Sequence, residues 1–341
     1  MPDLSVDPGN RAIKVYRPNH DPCSYESVLA PVHPGQRVKV NATSAHCQYA
    51  QGHESLVGQS WLVGSSAKHC QGSRCTVLED KALIAPKLIL AAIVPPSRAR
   101  KRPVEIDIET LFTALPDPDF YQGQLAEILV GNHRYSRNGI ELSVQIEQVQ
   151  LLPEGYGAFQ YALHHGVFDP DEGLIGLLDL GGGTAIASLW EGDSEILQAR
   201  IVMDKGGSYG LANLIASDDR MKQLLAGKGK ADPARIMDGI ARGSYQYGRT
   251  SINFKSLFEC HRQLWLEGIK NRMAADWQGW FEEIGCIVLV GGAAPLAAHW
   301  ADAAEDEFVR LCPHPQFANA IGMMPDERGS SGKKVTTLRS A

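Results

Sequence analysis

The residues best suited to chemistry in this chain are two aspartates, each followed by a glycine-rich segment. Asp7 precedes Gly9-Asn10 and lies seven residues before Lys14, and Asp179 precedes a second run of small residues. Glycine tolerates the backbone angles of tight bends and lets N–H groups approach phosphate oxygens closely. We therefore predict that one polyphosphate is held from both sides, by Gly9, Asn10 and Lys14 on one wall and by Gly181, Gly182, Gly183 and Thr184 on the other.

The carboxylates of Asp7 and Asp179 would then face each other across the phosphates. At short range they would repel each other unless a hard cation lay between them. Mg²⁺ fits this need, because it prefers oxygen ligands and is held mainly through its own water. We expect Asp7 and Asp179 to be the metal ligands.

Two further glycine segments can complete a nucleotide site. Gly291-Gly292-Ala293 follows the apolar run Cys286–Val290, and small residues let a flat ring lie against the backbone, so we assign this segment to adenine. Gly206-Gly207 precedes a helical segment, whose first N–H groups would suit the ribose and the α-phosphate. A plain linker explains Gly206-Gly207 equally well.

These segments need β-hairpins to position them. Alternating residues around Gly9-Asn10 predict one hairpin over Leu4–Tyr16, and those around the second glycine run predict another over Gly173–Trp190. Helical periodicity dominates from Tyr209 to Asp302, interrupted by a strand that ends at Val290. Each half of the chain is therefore predicted to contain the same feature, a β-hairpin with an acid at its bend.

The segment between the two hairpins predicts two helices and one further hairpin. Apolar spacing favours a helix within Asp80–Ile93. Ile128–Val130 is predicted to be a strand that pairs, across a turn at Gly131–Gly139, with a strand beginning near Leu142. The segment Pro153–His165 is predicted to be a helix, because proline suits the first helical turn.

Composition excludes several classes of protein. The 341 residues are 44% hydrophobic and 21% charged, as expected for a globular chain with two cores. A net charge of −6 provides no basic field, so direct nucleic-acid binding is not expected. The start lacks a signal-like region, and the most apolar segment, Ala82–Val94, contains Pro86 and Lys87. We expect a cytoplasmic protein that is not attached to a membrane.

Two clusters admit more than one interpretation. Cys70 and Cys75 lie near His69, but the seven cysteines include no C-x-x-C pair, so reduced thiols are favoured over a metal site. The basic run Arg98–Arg102 is interpreted as a solvated loop, with a subunit or adaptor contact as the alternative.

Taken in this order, the motifs resemble those of the actin-like ATPases, in particular the plasmid-partition branch typified by ParM and StbA. The resemblance implies the actin-like α/β fold shared with chaperone ATPases and sugar kinases, in which two ribonuclease H-like lobes enclose a nucleotide cleft. Lobe I would comprise residues 1–165 and 315–341, and lobe II residues 166–314. The segments that carry the likeness are Asp7–Asn10 with Lys14, Pro153–Gln160, Asp179–Thr184, Val290–Ala294 and Phe317–Met323.

The resemblance also implies that the helix after Pro153 orients the attacking water. Glu154 and Gln160 are predicted to lie on this helix. A carboxylate can accept the proton of the water, whereas an amide can only orient it, so Glu154 is the first choice and Gln160 the second. Asp7 and Asp179 would also be catalytic residues, because they would bind the metal ion.

The implied function is binding of Mg-ATP, with GTP as the alternative, and hydrolysis coupled to the gain and loss of filaments. Such filaments would segregate plasmid DNA through a DNA-bound adaptor protein. A small-molecule kinase of the same superfold is one alternative, but no acid for an acceptor hydroxyl stands out. A membrane-linked actin of the MreB or FtsA kind is another, but neither end of the sequence forms an amphipathic helix.

Overall fold

The computed structural model describes residues 3–70, 72, 74–75, 81–96, 103–227, 229–303 and 308–325. These residues form two β-sheets with helices packed on them, which is the α/β architecture predicted from the sequence. The basic run 98–102 and the tail beyond residue 325 lie outside the described residues, as do the side chains of His69 and Cys75. The interpretations of those segments stay predictions.

The first sheet contains ten strands among the described residues. They are β1 (Leu4–Pro8), β2 (Ala12–Tyr16), β3 (Cys23–Glu26), β4 (Val28–Pro31), β5 (Ser44–Gln51), β6 (Ser60–Gly64), β7 (Arg74–Cys75), β8 (Val104–Leu115), β9 (Gly131–Arg137) and β10 (Ile140–Pro153). Their order is β3-β2-β1-β8-β10-β9-β5-β6-β4-β7. β1 runs antiparallel to β2 and parallel to β8, which in turn runs parallel to β10.

The predicted N-terminal hairpin is confirmed as β1 and β2. Alternation along β2 buries Ile13 and Val15 in the core, and Lys14 therefore lies on the other face, directly opposite Asp7. Two helices, α1 (Lys81–Ala92) and α2 (Pro118–Leu129), pack on the sheet through buried leucines. The helix predicted within Asp80–Ile93 is thus confirmed as α1.

The prediction for Ile128–Val130 is wrong. Ile128 and Leu129 end α2, and the antiparallel partner of β10 is β9. The turn between β9 and β10 is only Asn138-Gly139, with φ values of 52° and 79°. A short apolar run fits a helix end as well as a strand. The stronger signal lies upstream, where Asp117 caps α2 by accepting from the N–H of Phe120.

The helix predicted from Pro153 begins later than expected. Pro153 is the last residue of β10 and pairs with Leu115 of β8. Helix α3 (Tyr156–His164) follows Gly155, whose φ of 92° turns the chain. The prediction that Glu154 lies on the helix is therefore wrong, because Glu154 belongs to the connection that precedes it.

The second sheet repeats the pattern of the first. Its strands are β11 (Leu174–Leu180), β12 (Ala185–Glu191), β13 (Ser194–Glu195), β14 (Ile201–Met203), β15 (Ile284–Val290) and β16 (Val309–Leu311). The order is β13-β12-β11-β15-β16, with β14 also on β12. The predicted second hairpin is confirmed as β11 and β12, and the predicted apolar strand as β15, parallel to β11.

Five helices cover the second sheet within the described residues: α4 (Ser208–Ser217), α5 (Asp219–Leu225), α6 (Pro233–Ala241), α7 (Lys255–Asp276) and α8 (Ala298–Ala303). Their core contains Trp277, which is fully buried and donates through Nε1 to the carbonyl of Ala199 at 2.7 Å. The helical periodicity predicted after Tyr209 is thereby confirmed.

Helix α3 packs against α9 (Ala318–Gly322), which lies in the segment Phe317–Met323 that carries part of the resemblance. Small residues allow this close contact, since a Cβ on Gly157 would lie 2.8 Å from the backbone nitrogen of Met323. α3 also packs on the second sheet, whereas Met323 and Met324 pack on the first. This pair of helices therefore links the two sheets, and the lobe boundaries assigned from the sequence stay a prediction.

Candidate functional site

The two glycine hairpins meet at a cavity of about 350 Å³ between the sheets. Most of the predicted site residues line it: Asp7, Gly9, Asn10, Lys14, Glu154, Asp179, Gly181, Gly182, Thr184, Gly292 and Ala293. The other predicted residues lie outside its lining: Gln160, Gly183, Gly206, Gly207 and Gly291.

Asp7 is buried at the end of β1 among positive charges. Lys14 Nζ donates to Asp7 Oδ2 at 3.0 Å, because the hairpin register places the two residues opposite each other. Burial by itself would raise the pKa of Asp7, but the charges of Lys14 and Lys81 and hydrogen bonds from Lys14 and Asn319 lower it below its ordinary value. Asp7 is therefore ionised at neutral pH.

Asp179 occupies the equivalent place on β11 but has no cation on its own hairpin, since Ile186 stands opposite it. Burial raises the pKa of Asp179 to about 6, and the carboxylates of Asp7 and Glu154 act in the same direction against the opposing charge of Lys14. A divalent cation next to Asp179 would reverse this effect by stabilising the ionised form.

The oxygen atoms near these aspartates suit Mg²⁺. Among the described residues no cluster of three or more His, Cys, Asp or Glu side chains is placed to hold a metal ion. Mg²⁺ needs few protein ligands, however, because it keeps several waters. Asn319 lines the same cavity, and its buried Oδ1 has no hydrogen-bond partner in the described part of the chain. Asp7, Asp179 and Asn319 are therefore the residues of the cavity that could hold a partly hydrated hard cation.

The two glycine turns touch each other at the edge of the cavity. A Cβ on Gly182 would collide with Arg11, and one on Gly183 would lie 2.8 Å from Asn10 Nδ2. Only glycine therefore permits the turns to approach this closely. The same contacts hold the two sheets together beside the cavity.

Gly206-Gly207 lies behind the second glycine turn and not on the cavity wall. The N–H groups of Gly207, Ser208 and Tyr209 donate to the three carbonyls of Gly181–Gly183 at distances of 2.8–3.2 Å. The first donors of α4 therefore hold the turn in place. The next residue along the chain, Ser208, lines the cavity.

The other end of the cavity is an apolar slot. Its lining includes Gly292 and Ala293, two residues of the short 3₁₀ turn that follows them (Pro295 and Leu296), and three residues of α6 (Met237, Ile240 and Ala241). Gly291, with φ of 91°, lies against Asp179 and Leu180, where a Cβ would collide. Gly291 thus leaves room for the aspartate, and Gly292 and Ala293 after it line the slot.

The two candidates for orienting water are placed differently. Glu154 lines the cavity, whereas Gln160 lies within α3 outside the lining. The carboxylate of Glu154 forms an ion pair with Lys81, and its backbone carbonyl accepts from Arg200 Nη2 at 3.2 Å. The geometry therefore favours Glu154, the first choice made from the sequence.

Several wall residues had no role assigned from the sequence, chiefly Lys81, Asn319 and the apolar residues of α6. Lys81 carried a local signal, because a cation at the first residue of a helix is disfavoured by the helix dipole. The α6 residues carried none, since their spacing is that of any amphipathic helix.

The arrangement of the two sheets defines the fold class of the protein. Two sheets of related topology, linked by α3 and α9 and enclosing a cavity between their hairpins, form the actin-like fold. Residues 5–157 match the model of the family described as actin like proteins N terminal domain. The resemblance to actin-like proteins, predicted from the motifs, is confirmed.

Solved structures of this class resemble nearly the whole chain. A ParM from Clostridium botulinum, solved as a 15-stranded filament, is 17% identical with a TM-score of 0.73, and the match covers 95% of this chain and 97% of that one. An archaeal actin homologue in complex with ADP is 15% identical with a TM-score of 0.71, covering 95% and 98%. ParM from Bacillus thuringiensis with ATP is 14% identical with a TM-score of 0.64, covering 95% and 97%. At these identities the likeness establishes the fold.

A search of curated proteins gave no match. Within the described residues, no helix combines the length and the apolar character needed to cross a membrane.

Proposed function

We propose that this protein is an actin-like ATPase that binds Mg-ATP between its two lobes and forms filaments. The observation that carries the proposal is the meeting of Asp7, Lys14, Glu154 and Asp179 at one cavity, between two glycine turns and beside an apolar slot. Phosphoryl transfer relies on positioning and electrostatic stabilisation, and these groups supply both.

In the proposed complex the phosphates lie between the two glycine turns and the base lies in the apolar slot. The N–H groups around Gly9 and Gly182 and the ammonium of Lys14 would bind phosphate oxygens. The slot against Ala293 offers apolar contact to either purine. ATP is the proposed nucleotide, as implied by the resemblance to actin-like ATPases, and GTP is tested beside it.

Hydrolysis needs a water aligned with the terminal phosphate. Glu154 is proposed to orient this water and accept its proton, and Gln160 is the second candidate. Asp7 and Asp179, with Asn319 beside them, would hold Mg²⁺, which when bound supplies positive charge to the phosphate oxygens. Lys14 would add a second cation on the wall of the first hairpin.

Nucleotide binding would control the contact between the lobes. A γ-phosphate bound by Asn10 and Gly182 would hold the lobes closed, and its loss would let them relax. A ligand shifts such an equilibrium only through its different affinity for the two states. ATP must therefore favour the assembling form more than ADP does.

We extend the proposal to assembly and to its purpose. A head-to-tail contact that does not close into a ring produces a filament, and a filament is the form in which the ParM from Clostridium botulinum was solved. The proposed role is plasmid DNA segregation in the cytoplasm through a DNA-bound adaptor protein. An adaptor is required because a net charge of −6 gives the chain no general affinity for DNA.

Sedimentation and light scattering test this function directly. The purified protein is measured at several concentrations with Mg-ATP, Mg-ADP, Mg-GTP and a non-hydrolysable ATP analogue. We expect a lower critical concentration with the analogue than with ADP, and filaments formed in ATP should decay once it is spent. A protein that stays monomeric with the analogue while phosphorylating a small acceptor would instead be a kinase of the same fold.

A pair of variants separates hydrolysis from assembly. Glu154→Ala should still bind ATP and assemble, but its turnover should fall by about 10²–10⁴-fold. Gln160→Ala serves as the matched control and should keep turnover near the wild-type value. If the two variants behave in the opposite way, the assigned roles are reversed.

A further inference from the structure

Lys81 is a buried cation on the cavity wall, and none of the motifs accounts for it. It is the first residue of α1, and its side chain is only 11% exposed. Its ammonium contacts Glu154 Oε1. Buried lysines are rare unless they are paired, so this contact requires an explanation.

The surroundings keep Lys81 charged. Burial by itself would lower the pKa of Lys81, but the carboxylates of Glu154, Asp7 and Asp179 raise it above its ordinary value. The ammonium therefore remains a fixed positive charge among three carboxylates. Its single hydrogen-bonded partner among the described residues is Glu154.

Glu154 is held at both its backbone and its side chain. Its carbonyl accepts from Arg200 Nη2 at 3.2 Å, and Arg200 is itself paired with Glu195. Its carboxylate is held by Lys81 through Oε1, which leaves Oε2 for a water. Without Lys81, rotation of the side chain about its χ angles would no longer be restrained.

We propose that Lys81 is a positioning residue for the hydrolytic step, acting through Glu154 by fixing its carboxylate so that Oε2 orients the attacking water. This inference rests on the proposed ATPase function. It differs from direct phosphate binding by Lys81, which would act on nucleotide affinity, and from a purely structural ion pair, which would act on stability.

A double-mutant cycle distinguishes these roles. Single-turnover hydrolysis and nucleotide affinity are measured for wild type, Lys81→Met, Glu154→Gln and the double variant. Lys81→Met should lower the hydrolysis rate by about 10–10²-fold, because a misplaced catalytic group loses alignment, while the Kd for Mg-ATP changes by less than about threefold. In the Glu154→Gln background, Lys81→Met should change the rate by less than about twofold.

Two more variants keep the test decisive. Lys87→Met removes an ammonium from the same helix but outside the cavity lining, and it should leave the rate unchanged. Lys81→Arg keeps the charge and should recover part of the rate, which also covers the case in which Lys81→Met does not fold. Rate losses that multiply in the double variant, or a Kd that rises as much as the rate falls, would overturn the proposal. A wild-type protein without ATP hydrolysis would instead overturn the proposed function.

Discussion

The two glycine hairpins are alike in spacing and opposite in electrostatics. The residue seven positions after Asp7 is Lys14, whereas the residue seven positions after Asp179 is Ile186, and each stands directly across its hairpin from the aspartate. The pKa of Asp7 is therefore lowered, whereas the pKa of Asp179 is raised to about 6. The residue paired with each aspartate contributes to this difference, together with Lys81 and Asn319, which also lower the pKa of Asp7.

The difference shows that the two hairpins contribute differently to the stability of the protein and to ligand binding. The first hairpin neutralises its own carboxylate with Lys14, so Asp7 contributes to the stability of the protein by itself. The second hairpin keeps Asp179 half-buried, opposite Ile186 and without a cation on the same hairpin, which costs stability. Unfavourable buried charges of this kind are expected at sites that receive a charged ligand.

The largest expected effect is on hydrolysis in Asp179→Asn. Removal of this carboxylate takes away a proposed metal ligand, so Mg-dependent turnover should fall by at least about 10²-fold. ATP hydrolysis at saturating Mg²⁺ measures it. Unchanged turnover would mean that the second hairpin is ordinary β structure.

The next effect is on stability, and the two hairpins should respond with opposite signs. Asp7→Asn removes the buried partner of Lys14 and should destabilise the ligand-free protein by about 3 kcal/mol. Asp179→Asn removes an unfavourable buried charge and should stabilise the ligand-free protein at pH 7. Urea denaturation without Mg²⁺ or nucleotide compares them. If the free energy of unfolding changed with the same sign in both variants, the proposed electrostatic difference between the hairpins would be wrong.

A pH series isolates the second hairpin. The pKa of Asp179 is about 6 in the folded protein and about 4 when unfolded, so between these values the folded state binds more protons. The contribution of Asp179 to the free energy of unfolding therefore decreases as pH rises from about 4 to about 6. The advantage of Asp179→Asn over wild type should grow between pH 4 and 6, to on the order of 2 kcal/mol. An advantage that does not change with pH would argue against a raised pKa.

The smallest effect concerns an ion pair that joins the first hairpin to α6. Arg11 Nη2 lies 2.9 Å from Asp238 Oδ1, and Lys68 binds the other oxygen of the same carboxylate at 3.2 Å. Because Lys68 remains, Arg11→Gln should weaken closure by less than about 1 kcal/mol, which is up to about fivefold faster nucleotide release. Stopped-flow release of a fluorescent nucleotide measures this rate. Lys255→Gln, which breaks an exposed pair on α7, is the control and should leave release unchanged.

Local patterns predicted much of the fold because they act over short stretches of chain. Both hairpins, β15 and α1 follow from alternation, helical spacing or glycine position alone. The failures occurred where two local signals competed. Ile128–Val130 fits either a helix end or a strand, and Pro153 fits either a helix start or a strand end, so only the strand pairing of the whole sheet decides.

The sequence by itself determined the acids and glycines of the site, because their types and spacing specify the turns that carry them. It also contains Lys14 in one hairpin and Ile186 in the other. Only the strand register shows that each of these residues lies opposite an aspartate. The tertiary structure alone decided that Lys81 meets Glu154 and that α6 walls the slot, because these residues come from distant segments. It also decided that Gly206-Gly207 and Gly291 support the site from behind. Contacts between distant segments depend on how the two sheets pack, and no local pattern encodes that packing.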